Sequence, residues 1–200
     1  MIAEKLNVKD IVKCLIGKYP INPQLTPSQF IDFYWAKYQE EFSSNNSVNG
    51  GVFEQLLVIA LVRQGIEPVY VQAKLAFVPN VILDIVLYNR KTPITISAKT
   101  TLRERWKQAD LEAMATKYVH RNAKCYVITL SEKEVLARRK SENSYMGIDD
   151  FVLAHTVEFD NLLDELKQIQ ISESESIKII TTDERLYNKS TVQEDYNFVF

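Results

Sequence analysis

A chain of 200 residues, 46% apolar and 25% charged, has the size and composition of one soluble globular domain and not of a fibrous, disordered or membrane-embedded protein. Its net charge of −2 argues against a general polyanion binder, although a locally basic cleft is compatible with nucleic acid. Two cysteines and two histidines, without a CxxC pair, give no pattern for a structural zinc site.

Neither a secretory signal nor a membrane span is expected. The opening residues MIAEKLNVKD lack a basic segment followed by an apolar one. The longest apolar run, residues 56–62, is too short to cross a bilayer. We therefore expect a single domain, residues 1–200, in the cytoplasm and without contact with a membrane.

The first third of the chain is predicted to be helical. Apolar residues recur at helical spacing, Thr26 and Pro27 have the types preferred at the N-cap and first helical position, and Gly65 is typical of a helix end. The predicted helices cover residues 2–18, 27–42 and 51–65. We expect loops at 19–27, which is rich in proline, and at 43–51, which is polar and ends in two glycines.

The apolar period then changes to two, which indicates strands. Three strands in a meander, a helix and a fourth strand are predicted at residues 69–78, 81–89, 93–101, 102–120 and 124–131. A charged helix, a short strand and a last helix follow at 131–143, 151–155 and 158–170. Beyond 171 the pattern is weaker: SIKIITTD suggests a strand, and the last residues look irregular. The expected fold is α/β, with a core of order α-β-β-β-α-β and a mixed sheet flanked by helices.

Two predicted strands carry a charge where an apolar residue is expected. With an even-numbered turn around NRKT, Asp84 lies opposite Lys99 and Val86 lies opposite Ser97. Asp84, Ser97 and Lys99 then share one face, while the other face is entirely apolar. A cross-strand ion pair is one interpretation, worth about 0.2–1 kcal/mol. A metal-dependent active site is the other.

Charged residues nearby bear on this choice. Glu54 opens an apolar helix, where it either interacts with the helix dipole or points into a polar site. Arg105, Gln108 and Glu112 share one stripe of the predicted helix 102–120. Cations at the start of this helix would hold phosphates, and arginine or glutamine would reach base edges. The candidate DNA-binding residues are Arg103, Arg105, Lys107 and Gln108.

The arrangement Glu54, Asp84 and Ser97-Ala98-Lys99 on an α-β-β-β-α-β order resembles the PD-(D/E)xK nuclease superfamily, and within it the type II restriction endonucleases. The segment ISAKTTLRERWKQAD carries the most specific part of this likeness, which spans about residues 50–131. The resemblance implies a restriction-endonuclease-like core and a Mg²⁺ cofactor. It also implies that the backbone oxygen of Ala98 is a metal ligand beside Asp84.

The chain departs from the family pattern at two positions. Leu83 stands before Asp84 where the family has proline, and Ser97 stands where the family has an acid. Some restriction enzymes with serine there carry the missing carboxylate on the following helix. Glu112, thirteen residues after Lys99, suits that role, with Glu104 and Asp110 as rivals, and Glu54 is a further candidate for the metal. The candidate catalytic residues are Asp84, Lys99, Glu54, Ser97 and Glu112.

The resemblance implies a type II restriction endonuclease that hydrolyses double-stranded DNA at a specific sequence and leaves 5′-phosphates. Its expected partners are DNA, a second copy of the chain and a cognate DNA methyltransferase in the same system. We expect a helical N-terminal part (1–45), a catalytic core (50–131) and a C-terminal part (132–200) for DNA recognition or dimerisation. The alternatives are a repair or junction nuclease of this fold, a non-catalytic DNA-binding protein, and a protein-interaction module with a structural Asp84–Lys99 pair.

Overall fold

A computed structural model describes residues 7–42, 45–78, 81–141, 144–174, 180–182, 186–198 and 200. These ranges contain helices and one mixed sheet, so the α/β class is confirmed. The helices are α1 Val8–Lys18, α2 Pro27–Glu41, α3 Asn46–Arg63, α4 Arg105–Val119, α5 Glu132–Arg139, α6 Val157–Lys167 and α7 Lys189–Tyr196. The strands are β1 Tyr70–Leu75, β2 Leu83–Leu87, β3 Ile94–Lys99, β4 Lys124–Thr129, β5 Asp150–Leu153 and β6 Ile180–Thr182.

The six strands lie in the order β5-β4-β3-β2-β1-β6. The meander β1-β2-β3 is antiparallel, whereas β3, β4 and β5 run parallel and are joined by the crossover helices α4 and α5. The succession α3-β1-β2-β3-α4-β4 is the predicted α-β-β-β-α-β order.

Both faces of the sheet are covered by helices. On one face, α3, which is apolar from Leu56 to Val62, packs with α1, α2, α6 and α7 against residues such as Ile85, Ile96 and Ile128. On the other face, Trp106 and Ala113 of α4 pack against β4 and β5. The second face of the sheet is also buried, and Val86, which shares this face with Asp84 on β2, is apolar. On β2, the polar part of this face is therefore only the end of the strand, at Asp84.

The hairpin register is two residues away from the predicted one. Leu87 pairs with Ile94 and Ile85 with Ile96, so Asp84 continues the ladder opposite Ser97, and the prediction that it lies opposite Lys99 was wrong. The turn is wider than NRKT because the Asn89 side chain accepts hydrogen bonds from the backbone N–H groups of Lys91 and Thr92. A two-residue shift preserves which face each side chain occupies.

Two predicted irregular segments are helical. The segment 43–51 was expected to be a loop, but α3 already begins at Asn46, because the Asn45 side chain accepts from the N–H groups of Ser47 and Val48. Gly51 lies within α3, where a Cβ atom would come 2.7 Å from Val8 Cγ2 of α1. Near the end of the chain, α7 begins with a reciprocal capping box between Asn188 and Thr191. The predicted loop residues 43–44, helix residues 2–6, and most of the SIKIITTD segment lie outside the described residues, although Ile180–Thr182 forms β6.

Candidate active site

Asp84 of β2 and Lys99 of β3 form an ion pair at the ends of their strands. The Nζ of Lys99 donates to Oδ2 of Asp84 at 2.6 Å. The side chains are 13% and 20% exposed, so the pair is partly buried but still reaches solvent. The offset of two residues along the ladder is spanned by the long lysine side chain.

The Asp84 carboxylate has further donors on β3. Its Oδ2 accepts from the backbone N–H of Ala98 at 2.9 Å and from Oγ of Ser97 at 3.2 Å. Three donors from consecutive residues therefore converge on one oxygen. These three hydrogen bonds fix the position of the Asp84 carboxylate at the strand end.

The ion pair lies in a cleft of about 1000 Å³. The cleft is bounded by the first turns of α3, by β1 and β3, by the start of α4 and by α7. Its lining brings the candidates Glu54, Asp84, Ala98, Lys99, Arg105 and Gln108 to one surface. A cleft of this size with carboxylates, an amine and a guanidinium has the features of a binding or catalytic site.

Glu54 faces this cleft from the third turn of α3. Its Oε2 accepts from Nε2 of Gln72 at 2.7 Å. Gln72 is inside β1 yet has a φ of 48°, a left-handed conformation that is strained for a residue with a Cβ atom. Strain of this kind clusters at functional sites, and here it accompanies the contact between Gln72 and Glu54.

Glu112 approaches the ion pair from α4. It lines a narrow space together with Asp84 and Ser97, and its Oε1 accepts from Nε2 of Gln108 at 2.7 Å. Burial raises the pKa of the Glu112 carboxyl above its ordinary value, the Gln108 hydrogen bond and the Lys99 charge lower it, and the Asp84 charge raises it. The charged form of Glu112 is thus disfavoured, a condition that a nearby cation would relieve.

The two rival acids on this helix have other environments. The Asp110 carboxylate is buried and accepts from the backbone N–H groups of Met146, Gly147 and Ile148, at 2.7–3.2 Å. Glu104 is 81% exposed and forms an ion pair with Lys107. Of the three acids that sequence reasoning considered on this segment, only Glu112 shares a space with Asp84.

The four candidate DNA-binding residues separate into two pairs. Arg105 and Gln108 line the cleft, whereas Arg103 and Lys107 are exposed outside its lining. Arg103 has a φ of 35°, and the turn that contains it is held by Glu134 of α5. The two oxygens of Glu134 accept from the N–H groups of Leu102 and Arg103 at 2.8 and 2.9 Å.

Apart from Glu54, the contribution of α3 to the cleft was not predicted from the sequence. Ser47, Gly50, Gly51 and Glu54 all line it, at the spacing i, i+3, i+4 and i+7 of one helical face. A Cβ atom on Gly50 would meet nothing within 4 Å, so this part of the face is open, whereas Gly51 packs against Val8 of α1. The signal was present in the sequence but was hidden because residues 43–51 were assigned to a loop. For Gln72, no sequence signal indicated the left-handed conformation.

The donor set suits a hard divalent cation. Within the described ranges, which omit several short segments, no three His, Cys, Asp or Glu side chains are grouped as ready metal ligands. Mg²⁺ usually takes only one or two carboxylates and completes its shell with water and substrate phosphate. Asp84 and Glu112 supply two carboxylates at one place, with Glu54 in the adjoining cleft, so the residues fit Mg²⁺.

Comparisons with protein-family models, with curated proteins and with solved structures found no match. Among the described residues, no helix has both the length and the apolar character required to cross a membrane.

Proposed function

We propose that this protein is a Mg²⁺-dependent endonuclease of the type II restriction class, which hydrolyses double-stranded DNA at a specific sequence. The observation that carries the proposal is the contact between Asp84 and Lys99 at 2.6 Å in a large polar cleft, with Glu112 on the adjacent helix. The α-β-β-β-α-β order and the resemblance of ISAKTTLRERWKQAD to restriction enzymes support it further.

A purely structural ion pair explains these features less well. A partly buried pair contributes little net stability, because desolvation offsets the Coulomb attraction. Stability alone therefore does not account for Asp84 and Lys99 at the edge of a cleft, nor for a second, partly buried carboxylate, Glu112, whose pKa is raised by desolvation. A site that binds a cation and an anionic substrate accounts for both.

Asp84 and Glu112 would hold the metal, with Glu54 as a further ligand across the cleft. All three donors to Asp84 contact Oδ2, so we assign Oδ1 to the metal. The backbone oxygen of Ala98 is the remaining ligand that the family resemblance implies. A bound Mg²⁺ supplies charge neutralisation at the scissile phosphate and activation of water.

Lys99 would act on the attacking water and on the charge that develops on the phosphate. Water attacks phosphorus in line with the 3′ oxygen, the P–O3′ bond breaks, and the 3′ oxygen takes up a proton. The products are a 5′-phosphate and a 3′-hydroxyl. The ammonium of Lys99, held in place by Asp84, donates to the oxygens on which negative charge accumulates.

Arg105 would bind a DNA phosphate within the cleft. Gln108 also lines the cleft and would position Glu112 through its hydrogen bond. Cutting both strands of a palindromic site requires two active sites related by a dyad, so we propose a homodimer. Of the four residues predicted to contact DNA, we keep Arg105 and Gln108 in the proposal. We leave out Arg103 and Lys107, because they lie outside the cleft lining.

The test is incubation of unmethylated plasmid DNA with the purified protein and Mg²⁺. We expect discrete fragments from the wild type and intact plasmid from Asp84→Ala and Lys99→Ala, each with unchanged circular dichroism. The matched control is Lys117→Ala, which breaks a 2.9 Å ion pair with Asp149 of similar burial outside the cleft lining and should leave cleavage unchanged.

Intact DNA with the wild type, in Mg²⁺ and Mn²⁺, would contradict the nuclease assignment. A smear in place of bands would indicate a nuclease without a specific site, such as a repair enzyme. Binding of DNA without cleavage would indicate a non-catalytic DNA-binding protein. A DNA methyltransferase gene beside the gene for this chain would support the restriction class.

A further inference from the structure

Helix α4 has an apolar stripe on the face that points away from the core. Leu111, Met114 and Tyr118 follow the heptad spacing +3, +4 and are 65%, 39% and 88% exposed. The buried residues of the helix, including Trp106, Ala109 and Ala113, lie on the opposite side. Monomeric proteins rarely expose three large apolar side chains in one helical row.

The exposed apolar surface extends beyond α4 to Met146 of the neighbouring loop. Met146 is 78% exposed and lies beside the stripe, because Gly147 packs so closely on α4 that a Cβ atom there would come 2.4 Å from the backbone nitrogen of Met114. The Asp110 carboxylate fixes this loop against the helix. We call Leu111, Met114, Tyr118 and Met146 the α4 seam.

Charged residues flank the apolar stripe at both ends, although the helix itself ends at Val119. Glu104 and Lys107 precede Leu111 in the row, and the exposed Arg121 follows Tyr118 just past the helix end. The row therefore begins with an acid and ends with a base, with apolar residues in the middle. A second copy of α4 in antiparallel orientation complements this order.

We propose that the α4 seam is the interface of a homodimer in which two α4 helices cross antiparallel about a dyad between residues 112 and 113. In this register Leu111 packs on Met114 of the second copy, and each pair occurs twice. Lys107 lies against the Tyr118 ring of the second copy as a cation–π pair, and Glu104 faces its Arg121. Every residue of the row thus has a complementary partner.

This interface gives a role to two residues that do not line the cleft. Glu104 and Lys107 pair with each other within one chain and are both exposed. In the dimer, Glu104 lies beside Arg121 of the second copy and Lys107 lies beside its Tyr118. Both residues are away from the dyad axis, so they form the polar rim of the interface. The cleft is lined by Arg105 and Gln108 on a neighbouring face of the same helix and stays open to DNA.

The size of the interface sets the expected affinity. Helix α4 has 15 residues and is about 22 Å long, and a standard interface buries about 800 Å² on each partner. The seam supplies less than this, so we expect a dissociation constant on the order of 10 µM without DNA.

The experiment is sedimentation equilibrium of the full chain without metal or DNA, over protein concentrations on both sides of that value. Wild type should show a monomer–dimer equilibrium, and Leu111→Glu should weaken it at least tenfold with unchanged circular dichroism. The matched control is Leu136→Glu on α5, where the leucine is 49% exposed outside the seam, and it should dimerise as the wild type does.

A charge exchange tests the antiparallel register. Glu104→Arg should weaken the dimer, and the double variant Glu104→Arg/Arg121→Glu should restore it to within threefold of the wild type. A wild type that is monomeric at every concentration, equal dimerisation of Leu111→Glu and Leu136→Glu, or a double variant no better than the single one would each overturn the proposal.

The homodimer is part of the proposed function, but this test does not depend on nuclease activity. A protein that dimerises through the seam without cutting DNA would overturn only the nuclease. A protein that cuts DNA while Leu111→Glu remains as dimeric as the wild type would overturn only the seam.

Discussion

Asp110 and Glu112 are two residues apart on α4, yet their carboxylates perform unrelated tasks. Asp110 accepts three backbone hydrogen bonds from the loop 146–148, whereas Glu112 shares a narrow space with Asp84 and accepts from Gln108. Residues two positions apart point about 200° apart around a helix, so Asp110 faces the 146–148 loop and Glu112 faces the narrow space beside Asp84.

Glu112→Gln should abolish most cleavage without loss of fold. Removal of a carboxylate that we propose as a metal ligand is expected to reduce the cleavage rate at least about 100-fold. Glu104→Gln is the control on the same segment, because Glu104 is exposed and forms its ion pair with Lys107. At protein concentrations well above the dimer dissociation constant, this variant should cut as the wild type does. The measurement is the initial rate of plasmid linearisation, and equal effects of the two substitutions would refute the ligand assignment.

Unfolding of the same variant has a defined pH dependence. The pKa of the Glu112 carboxyl is raised by burial, so the folded state binds this proton more tightly than the unfolded state does. Wild-type stability should therefore fall, relative to Glu112→Gln, as pH rises from the ordinary glutamate range through the raised pKa. Addition of Mg²⁺ at neutral pH should stabilise the wild type more than the variant.

Asp110→Asn should lower stability but act on cleavage only through the fold. The buried carboxylate is replaced by a neutral acceptor opposite three N–H groups, a loss we expect to cost about 2–3 kcal/mol in the free energy of unfolding. Urea denaturation measures it. A variant as stable as the wild type would show that the 146–148 loop does not depend on this carboxylate.

The fold was largely predictable because hydrophobic period is a robust signal. The period of two predicted β1, β2 and β3, and the apolar run predicted α3. The helix start of α3 and the whole of α7 were not predicted, because polar capping residues determine them. The Asn45 cap starts α3 five residues before the predicted helix, and the Asn188–Thr191 box forms α7 in a segment of low hydropathy. Each cap depends on a few local hydrogen bonds between side chain and backbone, and the apolar period of the sequence does not reveal them.

The candidate site was predictable where it depended only on alternation. Asp84 and Lys99 meet although the register was predicted two residues off, because a slip of two keeps each side chain on its face. The rotation of α4 about its own axis determines which of its acids approaches Asp84. Packing of Trp106 and Ala113 in the core fixes this rotation, so the choice among Glu104, Asp110 and Glu112 required the structure. The strained Gln72 and its contact with Glu54 required the tertiary structure.

Glu134→Gln should destabilise the turn before α4 in a pH-dependent manner. Burial raises the pKa of the Glu134 carboxyl, but hydrogen bonds from Ser131 and from the N–H groups of Leu102 and Arg103 outweigh it and hold the pKa below its ordinary value. A lowered pKa contributes stability that is present above the unfolded-state pKa and lost as pH falls through the folded-state pKa.

The expected loss for Glu134→Gln is about 1–2 kcal/mol at neutral pH, shrinking towards zero in acid. Thermal or urea unfolding across the acidic range measures it. The control is Glu132→Gln, an exposed acid in the same first turn of α5 that should change stability little at any pH. A Glu134→Gln loss that is the same at every pH would contradict the role of the charged carboxylate.

Arg105→Ala and Lys107→Ala should differ in the salt dependence of DNA binding. Arg105 lines the cleft, whereas Lys107 does not. Each phosphate contact adds about 0.9 to the slope of log affinity against log salt, so Arg105→Ala should lower this slope by about 1 and Lys107→Ala should leave it unchanged. Fluorescence anisotropy of a short duplex in Ca²⁺, which prevents cleavage, gives the slope. The slope counts phosphate contacts per bound protein, so it is insensitive to any weakening of the dimer by Lys107→Ala. Equal slopes for both variants and the wild type would place the DNA outside this cleft.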